Sequence, residues 1–495
     1  MDIAFTDNAC NTNHSGSPLY DRDHFVTTFQ QATECAAQLG RQILVSITFP
    51  MAVYDPQLLF TIFHHLNLGD RFFWSRSADE RALVGVGQAT TIVTTGPERV
   101  ATAAAAWREL RQHAIIEKVS ADLPAYTSGP VLLGGFTFDT LTTHTSLWEG
   151  FPDGLLILPY LLFHSDEDKA ALTINALIGA DDAFEQRADN VVGTLRQLAL
   201  ALQASQPATA VSEDEARQAS ELAVHDLLPG EQWKKQVARA VEKIRAGAFE
   251  KVVLARGVQV AQEEDFDVDG TLQRLSQSYP GAYVFAIQRG KRYFVGATPE
   301  RLVCSEDGQI QTMALAGSAP RGATAEEDQR FGEELLKSEK NQGEHNFVVT
   351  TIHDALSTLC SRVWVADAPR LLKLKNIQHL ETPIMGNLKP GHSILEAIED
   401  LHPTPAVGGY PRIPALASIR EDEHLDRGWY AGPIGWIGTG GNGEFAVALR
   451  SGLVEGHQAT LFAGCGIVAD SDPESEYQES CLKLQVMLRG LGGEM

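Results

Sequence analysis

Positive charge is scarce in this chain of 495 residues. Lysine and arginine number 40 against 64 aspartates and glutamates, which gives a formal net charge of −24. Proteins that bind nucleic acid or anionic membranes need clustered Lys and Arg, so the charge balance argues against both partners. A small anionic substrate is not excluded, because it needs only a local positive pocket.

Cysteines and long apolar runs are also few. The six cysteines show no metal-ligand spacing, and their scatter is typical of free thiols in a reducing cytoplasm. The N-terminus lacks a basic region followed by an apolar run, so no signal peptide is predicted. The longest apolar run, residues 154–163, is too short to span a bilayer and predicts a core strand. We therefore predict a soluble, cytoplasmic protein.

Residues 206–226 predict a linker between two halves of the chain. Much of this stretch is rich in Ala, Ser, Gln and acidic residues, which is typical of a surface connection. It divides an N-terminal half, residues 1–205, from a second half, residues 227–495. Strand and helix signals are interleaved without a regular βαβ repeat, which favours an α+β fold with large antiparallel sheets.

Hydrophobic periodicity predicts individual elements in both halves. Alternating apolar residues around a charged turn indicate hairpins, and apolar residues at helical spacing indicate helices. The predicted elements are hairpins at 71–87 and 282–297, helices at 233–247 and 326–360, and strands at 251–260, 443–453 and 460–468.

A segment rich in proline and glycine covers residues 402–411. Its three prolines fix φ and withhold backbone donors, and the adjacent Gly408 and Gly409 permit positive φ. Such a stretch is neither helix nor central strand, and we predict a rigid, shaped loop.

Two residues at predicted strand ends could perform acid–base chemistry. Lys251 begins an apolar strand, where lost hydration would lower its pKa towards that of a useful base. The alternative is a lysine that extends to water. Glu300 follows a strand and a proline, where apolar walls could raise its pKa and make it a general acid. The alternative is a capping or salt-bridging glutamate.

Further residues could hold anions or a metal. Arg450, within a predicted strand, could grip a carboxylate with two hydrogen bonds. Small residues at 314–322, which we expect to end a strand in a turn, and at 462–468 could offer backbone amides to a carboxylate. Acidic residues near positions 339–344 and 474–479 suit a hard cation such as Mg²⁺, although solvated surface charge is the alternative.

Together these segments resemble the chorismate-utilising enzymes, and among them the isochorismate synthases most closely. The resemblance covers roughly residues 227–491 and rests on an ordered set of motifs. In chain order these are Lys-Val-Val-Leu-Ala-Arg, Ala-Thr-Pro-Glu, Ala-Gly-Ser, Glu-His, His-Leu-Glu-Thr-Pro, His-Pro-Thr-Pro-Ala-Val, Ala-Gly-Cys-Gly-Ile-Val and Glu-Xaa-Xaa-Glu. The N-terminal half resembles the longer isochorismate synthases of menaquinone synthesis more loosely.

The resemblance implies a fold and a reaction. The fold would be a large antiparallel two-sheet sandwich with helices packed outside, containing both halves as one unit. The reaction would be Mg²⁺-dependent conversion of chorismate to isochorismate. Lys251 would activate water for attack on C2, and Glu300 would protonate the departing C4 hydroxyl. Glu344 and Glu479 would hold Mg²⁺, with Glu476 nearby or bound through water.

The resemblance also implies substrate contacts. Arg450, Lys483 and the amides near Gly464 and Gly466 would bind the pyruvyl carboxylate. The full set of implied substrate-binding residues is Gly317, Ser318, His379, Ala406, Tyr430, Arg450, Gly464, Gly466 and Lys483. One departure from the family pattern is Asn341, where related enzymes usually carry an aspartate, and this change would weaken Mg²⁺ binding.

Several alternatives stay open at this point. Salicylate synthase forms the same intermediate and then eliminates pyruvate, and a non-catalytic chorismate-binding scaffold would keep only the fold. Anthranilate and aminodeoxychorismate synthases are disfavoured because they use ammonia from a glutaminase partner. In lyase members the position matching Ala406 is commonly threonine, so alanine favours a reaction that stops at isochorismate. We expect a monomer or a weak homo-oligomer, and the sequence leaves menaquinone and siderophore pathways open.

Overall fold

Two large β-sheets with helices packed on them make up the described part of the chain. The computed structural model describes residues 21–120, 123, 129–142, 144–205, 222–373 and 377–493. Across these residues the sheets have 13 and 10 strands. The predicted α+β class with large antiparallel sheets is confirmed. Of the predicted linker, residues 206–221 lie outside the described residues, and Ala223–Asp226 form a strand.

The strands and helices are numbered here in chain order. The strands are β1 (Ile43–Met51), β2 (Arg71–Arg76), β3 (Arg81–Val86), β4 (Thr90–Thr94), β5 (Ile115–Lys118), β6 (Val131–Phe136), β7 (Gly154–Leu158), β8 (Leu161–Asp166), β9 (Lys169–Ile178), β10 (Ala223–Asp226), β11 (Lys251–Ala261), β12 (Tyr283–Arg289), β13 (Arg292–Thr298), β14 (Arg301–Glu306), β15 (Gln309–Pro320), β16 (Cys360–Val365), β17 (Arg370–Lys373), β18 (Ile377–Leu388), β19 (Gly409–Tyr410), β20 (Pro433–Gly438), β21 (Gly443–Val447), β22 (Ser451–Glu455) and β23 (Gln458–Ile467). The helices are α1 (Arg22–Leu39), α2 (Pro56–His65), α3 (Arg99–Arg111), α4 (Phe184–Ala204), α5 (Gly230–Arg245), α6 (Val268–Ser278), α7 (Ala325–Lys337), α8 (Glu339–Leu359), α9 (Ile394–Leu401), α10 (Arg412–Asp422) and α11 (Pro473–Gly490).

Both halves of the chain contribute strands to both sheets. The larger sheet has the order β10-β11-β23-β22-β13-β12-β2-β3-β8-β9-β1-β5, with β19 beside β11. The smaller has the order β16-β18-β15-β14-β21-β20-β6-β7-β4, with β17 beside β18. N-terminal β2 pairs with β12, and N-terminal β6 pairs with β20, both antiparallel. Neither sheet is therefore built from one half alone.

Alternating side chains divide the core into two apolar clusters. On β2, Phe72 and Trp74 enter one cluster, whereas Phe73 enters the other. This is the period-two alternation expected of a strand with both faces covered. The first cluster also contains Leu155 of the smaller sheet, and the second contains Phe29 of α1 and Leu195 of α4. The sheets thus pack on each other, and helices cover the far face of the larger one.

Two predicted single elements are each divided into two. Residues 154–163 form β7 in the smaller sheet and β8 in the larger, because the chain passes between sheets at Pro159 and Tyr160. The predicted helix at 326–360 is α7 followed by α8. Ser338 leaves the helical conformation at that break, and its hydroxyl accepts a hydrogen bond from the Asn341 amide at 3.3 Å. It is therefore the N-cap of α8.

The remaining predicted elements are mostly confirmed. The hairpins are β2–β3 and β12–β13, the helix at 233–247 is α5, and the strands at 251–260 and 460–468 are β11 and β23. The predicted strand at 443–453 is wrong as a single element, since β21 and β22 are separated by Arg450 at φ 49°. Most of segment 402–411 is irregular, as predicted, but Gly409–Tyr410 pair with β11 as β19.

Candidate active site

Lys251 of β11 forms an ion pair with Glu344 of α8. Lys251 Nζ lies 3.1 Å from Glu344 Oε1, and both side chains keep partial exposure. The stem of Lys251 passes over Gly466 of neighbouring β23, where an added Cβ would lie 2.9 Å from Lys251 Cε. Glycine at this position therefore gives the lysine room to reach the site.

Glu300 is held between β13 and β14 by the backbone and a threonine. Its amide donates to Thr298 Oγ1 at 3.3 Å, and its carbonyl accepts from the Val447 amide at 2.9 Å. The residue keeps some accessible surface, yet burial of the carboxyl group raises the pKa of Glu300 to about 7. The charges of Lys251, Lys483 and Arg450 act in the opposite direction. Near neutral pH this carboxyl group is thus poised to give up a proton.

Arg450 lies in a turn rather than in the predicted strand. Strand β21 ends at Val447, Arg450 has a positive φ of 49°, and its carbonyl accepts a hydrogen bond from the Ala297 amide at 3.0 Å. Burial lowers the pKa of Arg450, but an arginine keeps its charge because its ordinary pKa is so high. Glu479, Glu300 and Tyr430 favour the charged form. Within the described ranges no side chain forms an ion pair with this guanidinium, which leaves it available to an anion.

Tyr430 is a buried aromatic wall beside the glycines of β23. Its ring stacks on Phe462, with centroids 5.2 Å apart and planes at 20°. An added Cβ at Gly464 would lie 3.2 Å from the Tyr430 hydroxyl oxygen. Burial raises the pKa of Tyr430, so the phenol is neutral and can donate a hydrogen bond.

Helix α11 brings two carboxylates and a lysine to the end of β23. Lys483 Nζ lies 2.7 Å from Glu479 Oε1 and donates to the Gly464 carbonyl at 2.8 Å. Glu476 accepts from the Ser471 hydroxyl at 2.7 Å. Burial raises the pKa of Glu476, and the negative charge of Glu479 raises it further. The two carboxylates are thus close enough to repel each other.

The same cluster contains one thiol that the sequence analysis did not assign. Cys465, Glu476 and Glu479 each offer a ligand atom within 4.8 Å of the others. Carboxylate oxygens suit a hard cation such as Mg²⁺, whereas a thiol does not. A cation between Glu476 and Glu479 would also relieve their repulsion, so this pair fits the predicted metal. Glu344, which the resemblance implies as a direct ligand together with Glu479, instead contacts Lys251.

The segment around Gly317 forms a bulge and does not end a strand. Strand β15 continues to Pro320, with a register shift between Ala316 and Ser318 and a φ of 76° at Gly317. The turn predicted at 314–322 is therefore wrong. An added Cβ at Gly317 would lie 3.2 Å from Asn341 Cβ, so the missing side chain lets α8 approach. The side chain of Ser318 lies outside the described residues.

His379 of β18 lies opposite this bulge of β15. It pairs with Ser318 in the ladder, and burial lowers the pKa of its imidazole. A hydrogen bond with the Gly317 backbone and the charge of Glu479 raise that pKa, whereas the charges of Lys483 and Lys251 lower it. The imidazole is thus neutral at physiological pH and lies within the electrostatic reach of the other groups.

The segment 402–411 is tied to the strand that carries Lys251. The Val253 amide donates to the Gly408 carbonyl at 3.2 Å, and Arg427 bridges the Val253 and Val407 carbonyls at 2.7 and 3.2 Å. Ala406 is half-buried in this segment, next to Val407. These hydrogen bonds hold the segment that contains Ala406 in a fixed position relative to the strand of Lys251.

His345 supports the site in a way that the sequence analysis did not identify. It is fully buried, with Nδ1 3.2 Å from the Ala316 carbonyl and Nε2 2.7 Å from Thr382 Oγ1. It thereby joins α8 to β15 and β18 beside the Gly317 bulge. The Glu-His motif carried this signal, but only the glutamate was assigned a role.

Comparison with known proteins identifies the class. The family described as "Chorismate binding enzyme" matches residues 29–492, and the chain belongs to this family. The resemblance stated from the motifs is confirmed. No helix in the described part of the chain is long and apolar enough to cross a membrane.

Individual relatives within the family are named isochorismate synthases. The chain is 38% identical to isochorismate synthase MenF of Bacillus subtilis over 93% of this chain and 96% of that protein. It is 37% identical to the salicylate biosynthesis isochorismate synthase of Pseudomonas aeruginosa over 94% of each. The solved structure of MenF, the menaquinone-specific isochorismate synthase of Escherichia coli, is similar with a TM-score of 0.73. It is 25% identical and covers 94% of this chain and 99% of that one.

Proposed function

We propose that this protein is an isochorismate synthase that converts chorismate to isochorismate. Water adds at C2, the ring double bond migrates, and the C4 hydroxyl leaves. The observation that carries the proposal is the placement of Glu300, whose pKa is raised to about 7, within the electrostatic reach of Lys251, Arg450 and Lys483. Two relatives that are named isochorismate synthase, and that are similar to nearly the whole chain, support the proposal.

Each step has a residue of suitable chemistry. The Lys251 amine is the base that takes a proton from the attacking water at Nζ. Protonated Glu300 donates its proton to the departing C4 oxygen, and the raised pKa keeps that proton available near neutral pH. Arg450 binds the pyruvyl carboxylate by paired N–H donors, with Lys483 adding positive charge.

Mg²⁺ would be held by Glu476 and Glu479, with Glu344 turning from Lys251 to join them. The ion would neutralise the ring carboxylate of the substrate. Few protein carboxylates suffice, because Mg²⁺ keeps several waters and completes its coordination with substrate oxygens. Asn341 of α8, three residues before Glu344, lies against the Gly317 bulge of β15. Its neutral amide contributes no charge to the site.

Metal dependence gives one direct prediction. Chelation with EDTA abolishes isochorismate formation, and added Mg²⁺ restores it. In Glu479→Gln the Mg²⁺ concentration for half-maximal rate rises by about 10- to 100-fold, because the neutral amide removes one charged ligand. Glu474→Gln is the matched control, since this residue lies on the same helix and pairs with Lys234. An equal rise in both variants contradicts the assigned ligand.

Ala406 gives a second prediction, on the choice between isochorismate synthase and salicylate synthase. The resemblance to the lyases implies that a hydroxyl at this position takes part in elimination, so Ala406→Thr raises pyruvate release. A lactate dehydrogenase assay with chorismate measures it. Ala406→Val is the control, because valine matches the shape of threonine without the hydroxyl. Equal pyruvate release by both variants means that the discriminating residue lies elsewhere.

The direct test of function uses the purified full chain with chorismate and Mg²⁺. Isochorismate is detected by an added isochorismate-consuming enzyme and by chromatography. Salicylate with pyruvate as products supports the salicylate synthase alternative, and binding without turnover supports the scaffold alternative.

We further propose that the two halves act as one unit in the cytoplasm. Strand pairing between the halves in both sheets supports a single unit. Free thiols at every cysteine in the described part of the chain fit a reducing compartment.

A further inference from the structure

Arg256 is a buried charge that the reaction does not use. It lies on β11 with 3% of its surface exposed, five residues beyond Lys251, beneath α11. Its guanidinium forms an ion pair with Asp226 of β10 and donates to Ser480 Oγ at 3.2 Å and to the Tyr477 hydroxyl at 3.3 Å. One arginine thus connects two strands of the larger sheet to the helix that carries Glu476, Glu479 and Lys483.

Tyr477 is enclosed by this network on several sides. Its hydroxyl donates to Asp226 Oδ2 at 3.1 Å, and its ring lies 4.5 Å from the Arg256 guanidinium carbon and 5.0 Å from Lys234 Nζ. A Cβ added at Gly230 of α5 would lie 2.8 Å from the ring, so glycine there admits the tyrosine. The phenol therefore has one position in which all its contacts are made.

The contacts of Arg256 alternate along α11 with the candidate metal ligands. Tyr477 directly follows Glu476, and Ser480 directly follows Glu479. Successive residues of a helix are 100° apart, so fixing Tyr477 and Ser480 also fixes the backbone positions from which the side chains of Glu476 and Glu479 extend. Apolar packing alone would let the helix rotate or slide slightly, whereas these directional hydrogen bonds do not.

Stability alone does not explain a charge in this place. Replacing a buried ion pair by well-packed apolar residues is often neutral or stabilising, because desolvation of the charges offsets their attraction. Directional control over the neighbouring carboxylates is the benefit that apolar residues would not supply. The network lies on the face of α11 that meets β11 and α5.

We propose that Arg256, Asp226 and Tyr477 are positioning residues that set the affinity of α11 for the metal. The inference rests on the proposed function only in taking α11 as a metal-binding helix. Without the network, Glu476 and Glu479 sample more orientations. The affinity for the metal then falls, which is measured as a higher metal dissociation constant. Residues that orient metal ligands typically change affinity by about 10- to 100-fold when they are replaced.

The test measures metal binding without turnover. Mn²⁺, which takes the same oxygen ligands as Mg²⁺, is titrated into the full-length protein and followed by its electron paramagnetic resonance signal. We expect Tyr477→Phe and Arg256→Met to raise the Mn²⁺ dissociation constant by about 10-fold or more. Tyr477→Phe keeps the ring and its packing, so it remains informative if Arg256→Met fails to fold.

Arg274→Met is the matched control. Arg274 also binds α11, donating to the Gly490 carbonyl at 2.8 Å, but it does so at the far end of the helix. We expect its variant to bind Mn²⁺ like the wild type, even where the melting temperature falls. Unchanged Mn²⁺ affinity in Tyr477→Phe, an equal loss in Arg274→Met, or no Mn²⁺ binding by the wild type overturns the proposal. Wild-type Mn²⁺ binding without isochorismate formation contradicts the proposed function alone.

Discussion

Lys251→Ala lowers kcat for isochorismate formation by about 10²- to 10⁴-fold, the range by which general acid–base catalysis contributes to rates. The amine is the only group assigned to take the proton of the attacking water, and alanine removes it. Glu344, which loses its partner, keeps access to water, so we expect the fold to persist. Circular dichroism and the chorismate dissociation constant check the fold and the site.

Two companion variants sharpen this result. Lys251→Arg carries a positive charge, but arginine does not release its proton under working conditions. If Lys251 acts as a base, we therefore expect the Lys251→Arg variant to be as inactive as the Lys251→Ala variant. An active arginine variant would assign Lys251 an electrostatic role instead. Lys340→Ala removes an exposed lysine on α8 that pairs with Asp470, and it retains wild-type activity.

Glu300→Gln is the second variant with a large expected effect. Glutamine keeps the shape of the side chain but has no carboxyl proton to give, and kcat falls by about 10²- to 10⁴-fold. In the wild type, kcat falls as pH rises through about 7, because burial raises the pKa of Glu300 to about 7 and only the protonated form acts. A kcat that stays constant from about pH 6 to pH 9 contradicts the role of general acid.

The same group links stability to pH, with a sign opposite to that of most carboxylates. The pKa of Glu300 is raised on folding, so the folded state holds the proton more tightly than the unfolded chain. Its contribution is fully present below the unfolded pKa of about 4.5 and is lost as pH rises to about 7. We therefore expect Glu300→Gln to have a higher melting temperature than the wild type at about pH 8, and the same melting temperature as the wild type below about pH 4.

A carboxylate with the opposite shift provides the comparison. Gln478 and Lys234 lower the pKa of Glu474, so Glu474→Gln shows no gain in melting temperature at alkaline pH. An equal gain in both variants would mean that the effect reflects net charge and not the Glu300 site.

The family and the architecture could be predicted from the sequence, because ordered motifs and local periodicity carry them. Strand β11 and helix α5 were predictable from apolar spacing alone, and the α+β class with large antiparallel sheets followed from the absence of a βαβ repeat. The arrangement as two sheets came from the family resemblance. The motifs pointed to Lys251 and Glu300, and the structure places these residues within mutual electrostatic reach.

The errors arose where distant contacts override local pattern. Residues 443–453 alternate like one strand, but the turn at Arg450 is fixed by its hydrogen bond with Ala297, which is far away in sequence. The ion pair of Lys251 with Glu344 joins residues 93 positions apart, and no spacing rule predicts it. The break at Ser338 had a local signal, since serine is a favoured N-cap within a run of helical periodicity.

The origin of the new hydroxyl group tests the central claim most directly. Chorismate is incubated with the full-length protein and Mg²⁺ in water enriched in ¹⁸O, and the product is analysed by mass spectrometry and NMR. Attack of water at C2 with loss of the C4 hydroxyl predicts isochorismate that carries one ¹⁸O atom at C2. Unlabelled isochorismate, or salicylate and pyruvate as the main products, would contradict the account.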